Sequence, residues 1–320
     1  MIILNIVILI IGFIVLIKGA DLFVDGASGV ALNFKVSKML IGLTIVAFGT
    51  SAPEFAVSVK SLLSGSGEIV LGDTIGSNIL NILLILGTAS LFHSLNVKNN
   101  TVKKELPIMM LLSTLFSVLL FDNVFNGTEN TFTRSDGIVL VLFFLVFLYY
   151  LISMMRKKVD VNQDVEDKNL SLPKSALFTI VGIVGIILGS NLVVESASSI
   201  AAALGVTERM IALTIISLGT SLPELVTSVT ATRKGEYDIA IGNVVGSNIF
   251  NICMVTGIPV ALLGGISNYT TSIVDVLVMI AASVLLFAFS FKDKKIGKRE
   301  GLIFLTIFVC YYSYVVFGNM

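Results

Sequence analysis

Residues Gly19–Thr88 align without a gap with Gly189–Ile258 at a constant offset of 170, and 28 of the 70 pairs are identical. Self-similarity of this kind constrains a chain more than any local pattern, because both copies must find equivalent surroundings in one fold. The identities are not confined to apolar filler. They include Gly49/Gly219, Thr50/Thr220, Ser51/Ser221, Pro53/Pro223 and Glu54/Glu224, then Gly72/Gly242, Gly76/Gly246, Ser77/Ser247, Asn78/Asn248 and Asn81/Asn251. A duplication kept only for packing accounts for repeated Gly and Leu; it does not account for repeated Glu, Asn and Ser in apolar sequence.

The surroundings are a lipid bilayer. Of the 320 residues 55% are hydrophobic and 13% charged, where a soluble domain carries roughly a quarter charged. A hydrocarbon core about 30 Å thick needs about 20 apolar residues per helix. On that basis spans fall near 2–25, 37–62, 69–92, 105–121 and 137–155, and again near 175–198, 207–232, 239–263, 271–291 and 300–317. The apolar run Ile2–Ile17 has no basic residue before it, so it reads as a first span and not as a cleaved signal. The expected fold is an all-α integral membrane protein of ten transmembrane helices. Five spans per copy is an odd number, so the two five-helix repeats are expected to be inverted, with a site near the midplane where they meet. The first repeat would occupy 1–156 and the second 174–320, with their repeated motifs in 42–88 and 212–258. The polar segment 157–173 would be a linker.

Basic residues favour cytoplasmic loops. With the N-terminus outside, 18 of the 21 Lys and Arg fall inside and only Lys60, Arg134 and Arg209 fall outside. Cell-membrane localisation, extracytoplasmic termini and a cytoplasmic linker are therefore expected. Zero formal net charge argues against a nucleic-acid partner. His93 is the only histidine, and Cys253 and Cys310 stand far apart. Any bound metal must then be a hard cation held by oxygen, such as Na⁺, Ca²⁺ or Mg²⁺. No cofactor is expected, and no nucleophile–base pair indicates an enzyme.

The repeated segments Gly49-Thr50-Ser51-Ala52-Pro53-Glu54 and Gly219-Thr220-Ser221-Leu222-Pro223-Glu224 both fall mid-span. A proline inside a helix frees the carbonyl four residues back, here that of Gly49 or Gly219. Such a carbonyl is tolerated at membrane depth only in a protein-lined or wet cavity, where it can face a cation. A carboxylate at the bilayer centre costs at least ~2.5 kcal/mol. One glutamate per repeat, Glu54 and Glu224, would supply the two charges that neutralise Ca²⁺. Thr50 and Thr220 lie one turn earlier on the same faces. Ser77 and Asn81 would direct oxygens to the same region, while Asn78 and Asn248 suit either ligation or helix–helix bonding. Asp73 breaks the symmetry, because its partner is Asn243; a role in admitting cations and a plain interfacial charge are both open. Asp21, Asp25 and Glu195 read as solvated charges at span ends.

The doubled Gly-Thr-Ser-x-Pro-Glu segments, each followed by Gly-x-x-x-Gly-Ser-Asn-Ile-x-Asn-Ile, resemble the paired alpha repeats of the cation/calcium exchanger superfamily, in particular prokaryotic sodium/calcium exchangers of the archaeal type. The resemblance implies a Ca²⁺/Na⁺ antiporter working by alternating access, with spans 1 and 6 sliding across the other eight. It implies metal ligation by Glu54, Glu224, Thr50, Thr220, Ser51, Ser221, Ser77, Ser247 and Asn81, and a backbone carbonyl for Na⁺ from Ala47. Two positions depart from it: Asn251 replaces an Asp and Ser217 replaces an Ala, both at expected ligand positions. The missing acid disfavours K⁺ coupling. Proton-coupled relatives also use paired glutamates, so H⁺/Ca²⁺ exchange stays open. The expected partners are the bilayer and the Ca²⁺ and Na⁺ ions, and a monomer is compatible with the sequence.

Overall fold

A computed structural model describes residues 2–125, 127, 129–156, 170–206, 211, 215, 217–267 and 269–318. Most of the expected linker, the start of the span expected at 207–232 and the first residues of the 212–258 motif lie outside the described residues. In chain order the helices are α1 (Ile2–Phe34), α2 (Lys38–Thr50), α3 (Ala52–Leu63), α4 (Glu68–Phe92), α5 (Leu106–Leu119), α6 (Arg134–Met155) and α7 (Leu172–Ala203). Next come α8 (Ser217–Thr220), α9 (Leu222–Arg233), α10 (Tyr237–Leu263), α11 (Ile273–Asp293) and α12 (Lys298–Gly318), with short helical turns at Thr101–Glu105 and Asp122–Phe125 on either side of α5. Among the described residues seven helices are long and apolar enough to cross a membrane, or eight when the bent pair α2–α3 counts as one span.

Burial sorts these helices into an inside and an outside. The most apolar stretch of α10 is 89% buried and that of α4 is 72%, against 17–33% for the other five. Thus α4 and α10 form the centre, and the others turn rows of Ile, Leu, Val and Phe outward, as a lipid-facing surface requires. The core is divided in two. A large cluster surrounds α4 and α10, while Leu16, Ala20, Phe23, Val24 and Ala27 of α1 and Ile186 of α7 belong to a second one.

Small residues set the α1–α7 spacing. A Cβ added at Gly182 would lie 2.5 Å from the Phe23 nitrogen, and one at Gly189 would lie 2.5 Å from that of Leu16. The backbones are in direct contact, as small residues permit in membranes. At 33 and 32 residues, α1 and α7 rise about 50 Å each. Both outrun the spans expected at 2–25 and 175–198. The reason is visible at Asp21 and Asp25, which read as the end of a span but lie within α1. Lys234 donates to the Asp21 carbonyl at 2.9 Å and approaches the Asp25 carboxylate at 2.8 Å.

Lys234 belongs to a basic loop layer at one end of the molecule. There Lys38 pairs with the buried Glu236 at 2.6 Å, Ser28 donates to the same carboxylate at 3.0 Å, and Lys98 pairs with Asp238. Two short antiparallel strands, β1 (Leu95–Asn96) and β4 (Lys295–Ile296), close this layer. At the other end β2 (Thr131–Phe132) pairs with β3 (Ile266–Ser267), and the Tyr269 hydroxyl donates to the Leu120 carbonyl at 2.8 Å. These two small pairs are the only strands among the described residues of an otherwise helical chain.

The contact between α1 and α7 yields a test. Gly182→Ala forces Phe23 backbone and the new methyl apart, an overpacking worth about 1–3 kcal/mol. Its thermal unfolding in detergent should begin below that of the parent protein. An unchanged transition would mean that the two helices separate freely.

Candidate functional site

The centre of the molecule is built from two matched breaks. Helix α2 stops at Thr50 and α3 starts at Ala52 with an axis change of 45°. Ser51 between them has φ −84° and ψ 5°, and Ser221 between α8 and α9 has φ −88° and ψ 3°. The agreement follows from Pro53 and Pro223, which sit in the first turn after each break, where a missing N–H costs nothing. Each break therefore begins a new helix whose first turn holds Glu54 or Glu224. Both glutamates are 1% exposed, and they lie within electrostatic reach of one another.

Helices α4 and α10 cross beside these breaks, and their asparagines make a nearly twofold crosspiece. The Asn78 amide donates to the Asn248 carbonyl at 3.4 Å, and the Asn248 amide returns the bond to the Asn78 carbonyl at 3.4 Å. The side-chain oxygens of the same two residues accept from the next pair: Asn81 Nδ2 to Asn248 Oδ1 at 2.9 Å, and Asn251 Nδ2 to Asn78 Oδ1 at 3.5 Å. With their amide hydrogens so directed, Asn81 and Asn251 keep their Oδ1 atoms buried and without a hydrogen-bond partner. Both begin π-helical turns, Asn81–Leu86 and Asn251–Thr256, a local widening common at functional positions.

The remaining polar groups join the breaks to the crosspiece. Ser51 Oγ donates to Glu224 Oε1 at 3.1 Å, so the first break reaches the second glutamate. Ser221 Oγ lies 3.5 Å from Ser77 Oγ. Thr50 Oγ1 lies 3.0 Å from Asn243 Oδ1 and 3.5 Å from Ser247 Oγ. That approach is possible because Gly42 and Gly242 meet backbone to backbone; a Cβ on Gly242 would lie 2.9 Å from the Gly42 Cα. Thr220 hydrogen-bonds to the Asp73 carboxyl, the repeat counterpart of the Thr50–Asn243 contact.

Two backbone oxygens expected to face a cation are engaged elsewhere. The Gly219 carbonyl, freed by Pro223, accepts from Ser190 Oγ of α7 at 3.1 Å. The Ala47 carbonyl accepts from the Ser51 N–H at 3.0 Å and from Thr50 Oγ1 at 3.3 Å. Ser217 opens α8, and its side chain lies outside the described residues. Asn243 was expected only as the neutral partner of Asp73. It is in fact a fully buried strut, donating to Ser228 Oγ at 2.9 Å and to the Glu224 carbonyl at 3.4 Å. Thr74 and Thr256, 2.6 Å apart through their hydroxyls, gave no signal in the repeat, since neither has a hydroxyl counterpart in the other copy.

Glu54 Oε1 and Oε2, Glu224 Oε2, Asn81 Oδ1 and Asn251 Oδ1 thus have no hydrogen-bond partner among the described residues, and all are buried. Buried carboxylates are normally paired or bound to a metal. Two charges and neutral amide oxygens form a donor set for hard cations, with no nitrogen or sulfur in it.

Both halves of the chain, residues 4–153 and 174–317, match the family described as sodium/calcium exchanger protein. The chain belongs to that family. It is 35% identical over 318 residues to a putative antiporter, CaxA, of Alkalimonas amylolytica, covering 97% of each chain. It is 33% identical to the sodium/calcium exchanger MaX1 of Methanosarcina acetivorans, covering 97% of this chain and 98% of the other. Its fold superposes on the sodium-calcium exchanger NCX_Mj, solved after soaking in Na⁺ and Sr²⁺, with a TM-score of 0.83 at 31% identity over 97% of this chain and 98% of that one. The exchanger family carries transporters, not enzymes, and the oxygen-only donor set agrees with that chemistry.

The unpartnered Glu54 carboxylate yields a test by calorimetry or fluorescence-detected unfolding. A cation held at 100 times its dissociation constant adds about 2.7 kcal/mol to stability, so Ca²⁺ should raise the unfolding temperature of the parent protein. Glu54→Gln should unfold at a higher temperature than the parent in chelator, because a buried charge is gone, and should lose the Ca²⁺ shift. A Ca²⁺ shift of parental size in Glu54→Gln would remove Glu54 from the site.

Proposed function

We propose that this exchanger moves Ca²⁺ and Na⁺ alternately through one central site, with Glu54 and Glu224 providing the charge. Na⁺/Ca²⁺ antiport is the activity of the family to which the chain belongs. The observation that carries the site is the set of buried, unpartnered oxygens on the two glutamates, Asn81 and Asn251. Two carboxylates balance one Ca²⁺ or two Na⁺, and either load relieves the cost of a charge at membrane depth. The hydroxyls of Ser51, Ser221, Ser77 and Ser247 and the oxygens of Thr50 and Thr220 stand beside these groups and complete the shell, which for Ca²⁺ takes 6–8 oxygens. Ala47 and Ser217 join it through the backbone, Ala47 by exchanging one of its present donors for an ion.

The same reading assigns ten spans in two inverted repeats, 1–156 and 174–320, joined by a cytoplasmic linker at 157–173. In support, Asn33 near the end of α1 donates to the Leu170 carbonyl, just before α7, at 2.9 Å. The first helix of one copy thus ends at the layer where the first helix of the other begins. That layer carries Lys38, Lys98 and Lys234. By the excess of basic residues it faces the cytoplasm, which leaves both termini outside. Helices α1 and α7 touch backbone to backbone and meet the rest through a second core cluster, to which α2, α9 and α10 also contribute; they are the pair suited to slide across the rest in alternating access.

The test is ⁴⁵Ca²⁺ uptake into proteoliposomes loaded with Na⁺ and diluted into Na⁺-free medium. Uptake should require internal Na⁺, be absent from K⁺-loaded vesicles, and fall to background in Glu54→Gln and Glu224→Gln. Uptake driven equally by a pH gradient without Na⁺ would instead make the two glutamates proton carriers.

A further inference from the structure

The two copies of the site differ by one charge. Position 73 is Asp in the first copy, and its counterpart in the second is Asn243. Asn243 is 0% exposed and tied down through its amide hydrogens, to Ser228 Oγ and the Glu224 carbonyl. A carboxylate has no such hydrogens and can only accept, so Asp73 cannot be held as Asn243 is. It accepts from Thr220, and no Lys or Arg pairs with it among the described residues.

Its position is as informative as its charge. Asp73, Ser77 and Asn81 recur every four residues and so share one side of α4. Ser77 reaches Ser221 and Asn81 presents its unpartnered oxygen. Asp73 therefore stands about 6 Å further from the crosspiece than Ser77, toward the end of the molecule where α4 begins beside β3, opposite the basic loop layer. It lies within electrostatic reach of both glutamates. Exposure differs between the copies in the same sense. Gly72 is exposed and Asp73 and Gly76 are half-buried, whereas Gly242, Asn243 and Gly246 are all buried.

We propose that Asp73 is a third carboxylate of the ion path, one that captures the divalent cation on its way to Glu54 and Glu224 from the face where α4 begins. The assignment rests on the exchange site proposed above. A fixed charge at the wet edge of a low-dielectric passage raises the local concentration of counter-ions and their arrival rate by about tenfold or more. Because its counterpart is neutral and buried, the opposite face has no equivalent. Ca²⁺ is then drawn more strongly from one side of the membrane than from the other, through a difference that the duplication alone would not produce.

The deciding variant is Asp73→Asn, which places at position 73 the residue that the second copy already carries at 243. In membrane vesicles of both orientations, the Ca²⁺ concentration for half-maximal Na⁺-driven uptake should rise about tenfold at the face where α4 begins. It should be unchanged at the other face, with the maximal rate preserved. Asp73→Glu, which keeps the charge, should restore the parental value. Equilibrium ⁴⁵Ca²⁺ binding to the detergent-solubilised protein, which needs no transport, should weaken by a similar factor in Asp73→Asn. Parental binding in Asp73→Asn, or equal losses at the two faces, would overturn the proposal and leave Asp73 as an acceptor for Thr220 alone. Parent protein that binds Ca²⁺ but shows no Na⁺ dependence would sink the exchange reading instead, and the binding measurement would still decide the role of Asp73.

Discussion

A carboxylate surrounded by protein and lipid, with no hydrogen-bond donor pointed at it, is among the least comfortable groups a fold can contain. Here two glutamates sit at the centre, each 1% exposed, and one of them has neither oxygen partnered among the described residues. Much of the central architecture follows from managing that charge. Pro53 and Pro223 end one helix and start another, so each glutamate lies in the first turn of a helix. There the free N–H groups and the positive end of the helix dipole favour a negative group. The asparagine crosspiece fixes α4 against α10 through amide hydrogens, which leaves the amide oxygens of Asn81 and Asn251 buried and without a hydrogen-bond partner. Glycines at 42 and 242 let α2 close on α10 until Thr50 meets Asn243. No single one of these features needs a cation; together they leave buried oxygens without hydrogen-bond partners on both glutamates, Asn81 and Asn251.

The parts of this that could be read in advance are those written in single residues. A proline removes its own N–H whatever surrounds it, so the breaks at Ser51 and Ser221 were legible, and so was the burial of the paired glutamates. The repeat made Ser77, Asn81, Ser247 and Asn251 stand out from ordinary apolar sequence. Other features depend on helices meeting in a particular register, and no local pattern encodes them. That Asn78 and Asn248 serve as donors to each other's backbones is visible only once α4 crosses α10. That the Gly219 carbonyl is taken by Ser190 depends on how α7 lies against α8. The length of α1 has no local signature, because Asp21 and Asp25 look like the end of a span in sequence; their partner, Lys234, is more than 200 residues away. The π-helical turns at Asn81 and Asn251 leave composition and periodicity nearly unchanged and gave no signal.

The duplication also shows how far two copies can drift while keeping a shared frame. Backbone conformations at the breaks agree within a few degrees, and the crosspiece bonds are matched in kind. The differences lie in charges and donors. Ser51 reaches the glutamate of the other copy, whereas Ser221 reaches Ser77. Lys234 and Glu236, which engage α1, have Ser64 and Ser66 as counterparts. The frame is shared because the breaks and the helix crossing tolerate little change, while the side chains around it are free to make the two ends of the molecule unlike.

The two longest helices tie this protein to its solvent in a further way. Against a hydrocarbon slab about 30 Å thick, a rod of about 50 Å must lean or protrude, and α1 and α7 are joined backbone to backbone, so they do so as one body. The height of apolar surface that an inclined body offers to lipid changes whenever its inclination changes. Matching that height to the surrounding acyl chains costs fractions of a kcal/mol per Å. The thickness of the bilayer is therefore a term in the energy difference between any two positions of this pair, and acyl-chain length acts on the protein as temperature or voltage would, with no contact at the site.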